Sequence, residues 1–370
     1  MDAPKLPAID QVIFSDYQLG PISLSNRIVM APMTRCRAID NVPSALMATY
    51  YSQRAGAGLI ITEGTAPSAD GLGYARIPGI YSDKQVDGWK KVTEEVHAQG
   101  GKIYLQLMHC GRVSHPDNME SGAEILAPSA IAPADTKMYV DGAGELEIPT
   151  PRAMTTSDID KAVNQYRVAA TNAIKAGFDG VEIHGANGYL INQFINPGSN
   201  QREDHYGGSI ENRTRFAMEV AAAVIAEIGA NRTGMRLSPF GVMNDMSTYD
   251  EISDTFLYLA AQLNRLQLQY IHLVDHASMG APAVPEEIKR KIRIIFNQTL
   301  ILSGGYDKAR ANADLNEGHA DLIAIGRPYI SNPDLVGRFV ENANLAIPQE
   351  DTFYTAGEEG YVDYPFLKAD

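Results

Sequence analysis

Two hydrophobic patterns alternate along the chain: short unbroken runs rich in Val, Ile and Leu, and longer stretches whose apolar residues recur about every 3.6 positions. The short runs, bounded by Gly or Pro, suit strands buried on both faces, and the longer stretches suit the helices that cover them. Eight short runs qualify: Arg27–Met33, Gly58–Gly64, Lys102–His109, Gly180–Ala186, Thr233–Pro239, Tyr270–Asp275, Thr299–Gly305 and Leu322–Pro328. The clearest helix spans Asp158–Ala176, entered through the capping cluster Thr155-Thr156-Ser157 and closed by Gly177; another spans Ile210–Ile228 and also ends at a glycine. Eight strands alternating with helices predict an α/β chain closed into a parallel (β/α)8 TIM barrel, with an open doubly wound sheet as the competitor. The expected organisation is a single domain over residues 1–370, with flexible ends at about 1–10 and 366–370.

Two loops exceed plain connectors. Gly111–Met154, after strand three, contains β-like pieces around Met138–Ile148 and predicts a capping hairpin over the barrel mouth; Gly188–Gly208, after strand four, is equally irregular. The tail from Asp351 carries Phe353, Tyr354, Tyr361, Tyr364 and Phe366, aromatics that either pack or wall a flat ligand.

Composition narrows the class. Hydrophobic residues at 45% and charged residues at 21% provide for a substantial core, while a net charge of −14 argues against a nucleic-acid partner and for a small molecule. Two cysteines, Cys36 and Cys110, supply no disulfide framework and no metal set. With neither a leader-like N-terminus nor a long apolar run, the sequence reads as cytoplasmic, free of the membrane, and monomeric or homodimeric.

In barrels of this kind the reactive groups sit at the C-terminal ends of the strands. Strand seven runs into Gly304-Gly305 and strand eight into Gly326-Arg327, which together suggest a phosphate cradle with Arg327 as counter-ion; either turn alone would be ordinary loop chemistry. Strand four ends in HGANGYL. There His184 and Asn187 can donate hydrogen bonds to one carbonyl oxygen, and the Tyr189 phenol can deliver a proton to carbon. One His or Tyr is usually structural, whereas three such groups at one strand end favour catalysis. Arg236, pointing inward on strand five, needs an anion, an electron-rich ring, or an ion pair with Glu63 or Glu182. Two further readings stay open: a glycosidase-like hydrolase using Glu63 and Glu182, and a protein that holds a bound cofactor without turnover.

The runs RIVMAPMTRCRA, LQLMHCGRVSH, GFDGVEIHGANGYLINQFINPGSNQREDHYGGSIENRTRF, IGRPYISNPDL and TFYTAGEEGYVDYP resemble, in order and spacing, the Old Yellow Enzyme family, from Phe14 to about Pro365. The flavour is that of bacterial ene-reductases and plant oxophytodienoate reductases. The resemblance implies non-covalent FMN, NADPH or NADH as hydride donor, and reduction of activated alkenes. It places Pro32, Met33, Thr34 and Gly64 along the flavin, Gln106 on its pyrimidine edge and Arg236 at N1 and O2. Gly304, Gly305, Gly326 and Arg327 would hold the phosphate. His184 and Asn187 would grip the substrate carbonyl, Tyr189 would be the proton donor, and Tyr74, Tyr81, Met108 and Tyr354 would form the substrate wall. Met108 stands where several members have Trp, which implies a softer, wider wall, and Asn187 stands where many have His. Cys36 lies two residues beyond the family's flavin-contacting position and takes no flavin role. Dienoyl-CoA reductases share the barrel but need an iron–sulfur cluster and a further domain, for which this chain has neither the cysteines nor the length.

Overall fold

All eight apolar runs form parallel strands: β1 (Ile28–Met30), β2 (Leu59–Ile61), β3 (Ile103–Leu107), β4 (Gly180–Gly185), β5 (Thr233–Leu237), β6 (Tyr270–Val274), β7 (Thr299–Ser303) and β8 (Leu322–Ile325). In the computed structural model, which describes residues 11–134 and 136–367, they close in sequence order into one barrel, β8 pairing with β1. The open-sheet competitor is thereby excluded. The expected flexible end at 1–10 lies outside the described residues, as do the last three of the tail. Strands are shorter than the apolar runs because the ladder stops where the chain turns outward, leaving the Gly- and Pro-bearing ends to build the mouth.

Register decides which side chains share a layer. Glu182 on β4 pairs with Gln106 on β3, His184 with Arg236 on β5, and Arg236 in turn with His272 on β6.

The two helices read from the sequence are present as Thr156–Lys175 and Ile210–Ile228. The first is held by a capping box in which Thr155 and Asp158 satisfy each other's backbone N–H, worth about 1 kcal/mol. It buries Ile159, Ala162, Tyr166, Ala169, Ala170 and Ala173, a stripe at helical spacing.

Below the barrel, an antiparallel hairpin, Tyr17–Leu19 with Ile22–Leu24, plugs the floor. Its Leu19 and Leu24 pack with Leu59, Ile61, Tyr104, Tyr270 and Ile301. Three-residue strands carry too few positions to show a period, so the sequence pattern did not predict them.

Above it, the expected capping hairpin forms from Lys137–Val140 and Gly144–Glu147. Met138 and Ile148 join Val113 in a small cluster against which Tyr74 and Tyr189 pack, so the hairpin lies over the end of β4. The nearly sealed Arg112 ties this loop to the one after β5, donating to the carbonyls of Ile131, Asn244 and Asp245 at 3.4, 3.3 and 2.8 Å.

The aromatic tail is fastened to the loop after β1 by two buried arginines. Arg35 donates to the carbonyls of Phe353 and Gly360 at 3.0 and 2.7 Å, and Arg37 to those of Thr352, Phe353 and Glu359 at 2.8, 2.8 and 3.1 Å. Tyr361 stacks on Tyr50 at 4.0 Å with both guanidiniums near its ring. Among the described residues no helix is long and apolar enough to cross a membrane.

Candidate functional site

The end of β4 turns sharply through Asn187 and Gly188, at φ +60° and +78°. Asn tolerates the left-handed region, and Gly188 has no alternative: a Cβ there would lie 2.6 Å from the Met243 carbonyl oxygen. The turn is held from three sides. The Asn187 N–H donates to Ser238 Oγ (2.9 Å), its carbonyl accepts from Asn244 Nδ2 (2.7 Å), and Gln193 Nε2 donates to the carbonyls of Gly188 and Cys110 (2.8 and 3.0 Å). This brings the His184 and Tyr189 rings to 5.1 Å, and the Tyr189 and Tyr74 hydroxyls to 3.0 Å.

The sequence-predicted trio is therefore assembled in one place. His184 is 3% exposed. Burial, reinforced by the nearby Arg236 charge, holds its pKa well below the usual histidine range, so the imidazole is neutral. Burial likewise pushes the Tyr189 and Tyr74 phenols upward, keeping both protonated.

Several polar atoms here are sealed and have no partner among the described residues: His184 Nδ1, Asn187 Oδ1, Arg236 Nε and His276 Nδ1. Leaving such groups unmade costs about 1–3 kcal/mol each, more for charged ones, so their clustering at one mouth points to a ligand that completes them. Arg236 forms no ion pair with any described residue. Of the two expected partners, Glu63 bonds Tyr51 Oη (3.1 Å) and the Arg35 N–H (3.4 Å). Glu182 instead accepts from Gln106 Nε2 (2.7 Å) and bonds His272 Nδ1 (2.8 Å). Both carboxylates are fully buried and engaged with their own neighbours, so they do not present the open pair that a glycosidase needs.

The remaining predicted positions fall around the same mouth. Pro32, Met33 and Thr34 are half-buried just beyond β1, and Gly64 is buried after β2 against Met108, where a Cβ would come 2.4 Å from the sulfur. Met108 is sealed in a cluster with Ala66, Leu72 and Ile77, against which Tyr74, Tyr81 and Tyr189 pack. Tyr354 lies further out, 63% exposed, with its carbonyl held by Arg76 at 2.8 Å. Gly304 takes φ +122°, and a Cβ there would strike the Asp275 carbonyl oxygen at 2.0 Å. A Cβ at Gly326 would make only ordinary van der Waals contact, with Met33 Sδ at 3.7 Å and Ala31 Cβ at 3.8 Å, and Arg327 next to it is exposed. A backbone cradle with an arginine at its rim and unpartnered donors deeper in the mouth fit a flat, phosphorylated cofactor such as FMN. Surface clefts of about 210 and 460 Å³, around Arg76 and Asp141 and around Gln18 and Gln269, contain none of these residues.

Sequence reasoning missed the residues that hold the turn, Gln193, Ser238 and Asn244, and the buried His272. Polar side chains that serve the backbone carry no motif of their own; the inward alternation of β6 was the one available signal for His272.

Residues 12–346 match the NADH:flavin oxidoreductase / NADH oxidase family, to which the chain belongs. Among relatives, 12-oxophytodienoate reductase 1 of Oryza sativa subsp. japonica is 43% identical over 366 residues, covering 96% of this chain and 93% of its own. A Leishmania infantum protein named "Probable flavin mononucleotide-dependent alkene reductase" is 44% identical over 360 residues, covering 96% and 98%. The solved structure of morphinone reductase superposes with a TM-score of 0.94 at 46% identity, covering 97% of each chain, and the same enzyme is known in complex with tetrahydroNAD. The Old Yellow Enzyme homologue of Zymomonas mobilis gives 0.92 at 41% identity, covering 96% and 99%.

Proposed function

We propose that this chain is an FMN-dependent, NAD(P)H-consuming ene-reductase that saturates the C=C bond of α,β-unsaturated carbonyl compounds and nitroalkenes. Bound non-covalently, FMN would supply a ring that takes hydride from NADPH or NADH and gives it to the alkene β-carbon. The chain's own residues do the rest. Gly304, Gly305, Gly326 and Arg327 would hold the phosphate; Pro32, Met33, Thr34 and Gly64 would flank the ring; Gln106 and Arg236 would take its polar edge.

His184 and Asn187 bind the substrate carbonyl. A neutral imidazole and an amide donate without placing a full charge in the pocket, and they withdraw electron density from the conjugated alkene. Tyr189, protonated by virtue of burial, gives its phenolic proton to the α-carbon, while Tyr74, Met108 and Tyr354 shape the wall. The hairpin above keeps bulk water from the exchange. The two thiols, both buried and free, suit a cytoplasmic setting, and we place the enzyme there as a single-domain monomer or homodimer.

The observation that carries this reading is the gathering of His184, Asn187 and Tyr189 at one strand end, with His184 Nδ1 and Asn187 Oδ1 sealed and unpartnered among the described residues. Its test is spectroscopic. Under anaerobic conditions the yellow protein should bleach with NADPH or NADH and recover colour on addition of cyclohexenone; a protein that bleaches and then ignores every activated alkene would be a flavin store instead.

A further inference from the structure

Beneath the site runs a buried polar chain that the proposed mechanism does not use. Gln106 Nε2 donates to Glu182 Oε1 at 2.7 Å, Glu182 Oε2 bonds His272 Nδ1 at 2.8 Å, and His272 Nε2 bonds Ser303 Oγ at 3.0 Å. These four residues come from β3, β4, β6 and β7, and none is more than 5% exposed. Gly234, facing Glu182 across the β4–β5 register, is part of the same design: its Cβ would lie 2.1 Å from the Tyr270 ring, which fills that space.

A carboxylate buried this deeply is costly, and a purely structural role would be served as well by a neutral amide. Glu182 has no exposed counter-ion. Its hydrogen-bond partners are an amide and an imidazole, and the guanidinium whose charge acts on it is that of Arg236, two residues further along β5 than its register partner Gly234, with Nε unpartnered among the described residues. One cation and one anion thus sit under a site whose bound ring gains negative charge on reduction. Because the interior screens poorly, the carboxylate acts on that charge through space.

We propose that Glu182 is a positioning residue with two tasks: it fixes the Gln106 amide for the flavin edge, and its charge offsets Arg236 and so holds the flavin reduction potential down. The inference rests on FMN occupying this mouth. His272 and Ser303 serve as its hydrogen-bonded support, fixing the carboxylate's orientation.

The test uses the purified holoenzyme and reads midpoint potential and FMN affinity alongside turnover. E182Q keeps the shape and can keep every bond, since the introduced amide can accept from Gln106 and donate to His272, which then donates to Ser303. Its midpoint potential should rise, by about 30 mV if the reduced-to-oxidised equilibrium shifts tenfold. H272Q disturbs the same chain but retains the carboxylate, so its potential should stay at the wild-type value or fall. E182D keeps the charge and draws it away from Gln106, and should weaken FMN binding several-fold without raising the potential. An unchanged potential in E182Q, or an equal rise in E182Q and H272Q, overturns the charge role; E182D binding FMN as tightly as wild type overturns the positioning role, and does so even where E182Q fails to fold. Wild-type protein that does not bind FMN would instead sink the functional reading on which the inference stands.

Discussion

Tyr74 and Tyr189 offer a test in which stability and chemistry separate. Their hydroxyls lie 3.0 Å apart in a pocket where burial has pushed both phenols well above their ordinary ionisation. Tyr189→Phe removes one member and leaves the Tyr74 hydroxyl buried without this partner, a cost of about 1–3 kcal/mol; Tyr74→Phe does the converse. The double variant removes both groups, so it should cost no more than the larger single change, giving a coupling energy on the order of 1–3 kcal/mol. Urea unfolding of the four proteins at one fixed excess of FMN measures the cycle, since cofactor binding itself shifts stability. Kinetically the single variants diverge. Tyr189→Phe should slow enone reduction by about 10²–10⁴-fold while reduction by NADPH proceeds normally, and Tyr74→Phe should lose far less. Strict additivity would show that the contact contributes nothing, and Tyr189→Phe turning over enones at the wild-type rate, where chemistry is limiting, would remove Tyr189 as donor.

Other positions give independent tests. Gly304→Ala would put a methyl group 2.0 Å from the Asp275 carbonyl oxygen at φ +122°, so FMN affinity, followed by quenching of flavin fluorescence on apoprotein, should fall at least about tenfold; unchanged affinity would put the phosphate elsewhere. In the double variant His184→Ala, Asn187→Ala, the long-wavelength charge-transfer band formed with phenolate ligands should vanish, and its persistence would refute the carbonyl clamp. Burial raises Glu63 to about 7. Its folded pKa lies above the unfolded value of about 4.3, so its contribution is intact at low pH and is lost as pH rises through that window, on the order of 3 kcal/mol in all. Glu63→Gln should flatten this part of the stability curve, measured by chemical denaturation at about pH 4.5 and 7, either side of most of that window; an identical slope in both proteins would contradict it.

The barrel was legible because its strands are buried on both faces and therefore read as unbroken apolar runs, and because chain order alone gives neighbours in a parallel barrel. The candidate site was legible as a cluster because strand ends are where such barrels concentrate chemistry, and β4 places His184, Asn187 and Tyr189 within six residues. What stayed hidden has a common cause. The partners of Glu182 and Arg236 depend on how strands far apart in sequence are staggered, and Glu182 turned to His272 and Gln106, not to Arg236. The floor hairpin was invisible for want of length, and Gln193, Ser238 and Asn244 because they bond backbone atoms of a turn whose shape the sequence only hints at.

The arginine fastening of the tail bears on how the protein is made. Arg35 and Arg37 follow closely on Thr34, yet all but one of the carbonyls that hold them belong to residues 352–360, more than three hundred positions later. During synthesis the loop after β1 leaves the ribosome first and waits through the whole barrel for the carbonyls that anchor its two guanidiniums. The proposed cofactor mouth is thus among the last parts to be completed, and a nascent chain halted before residue 352 should carry most of its strands while failing to bind flavin.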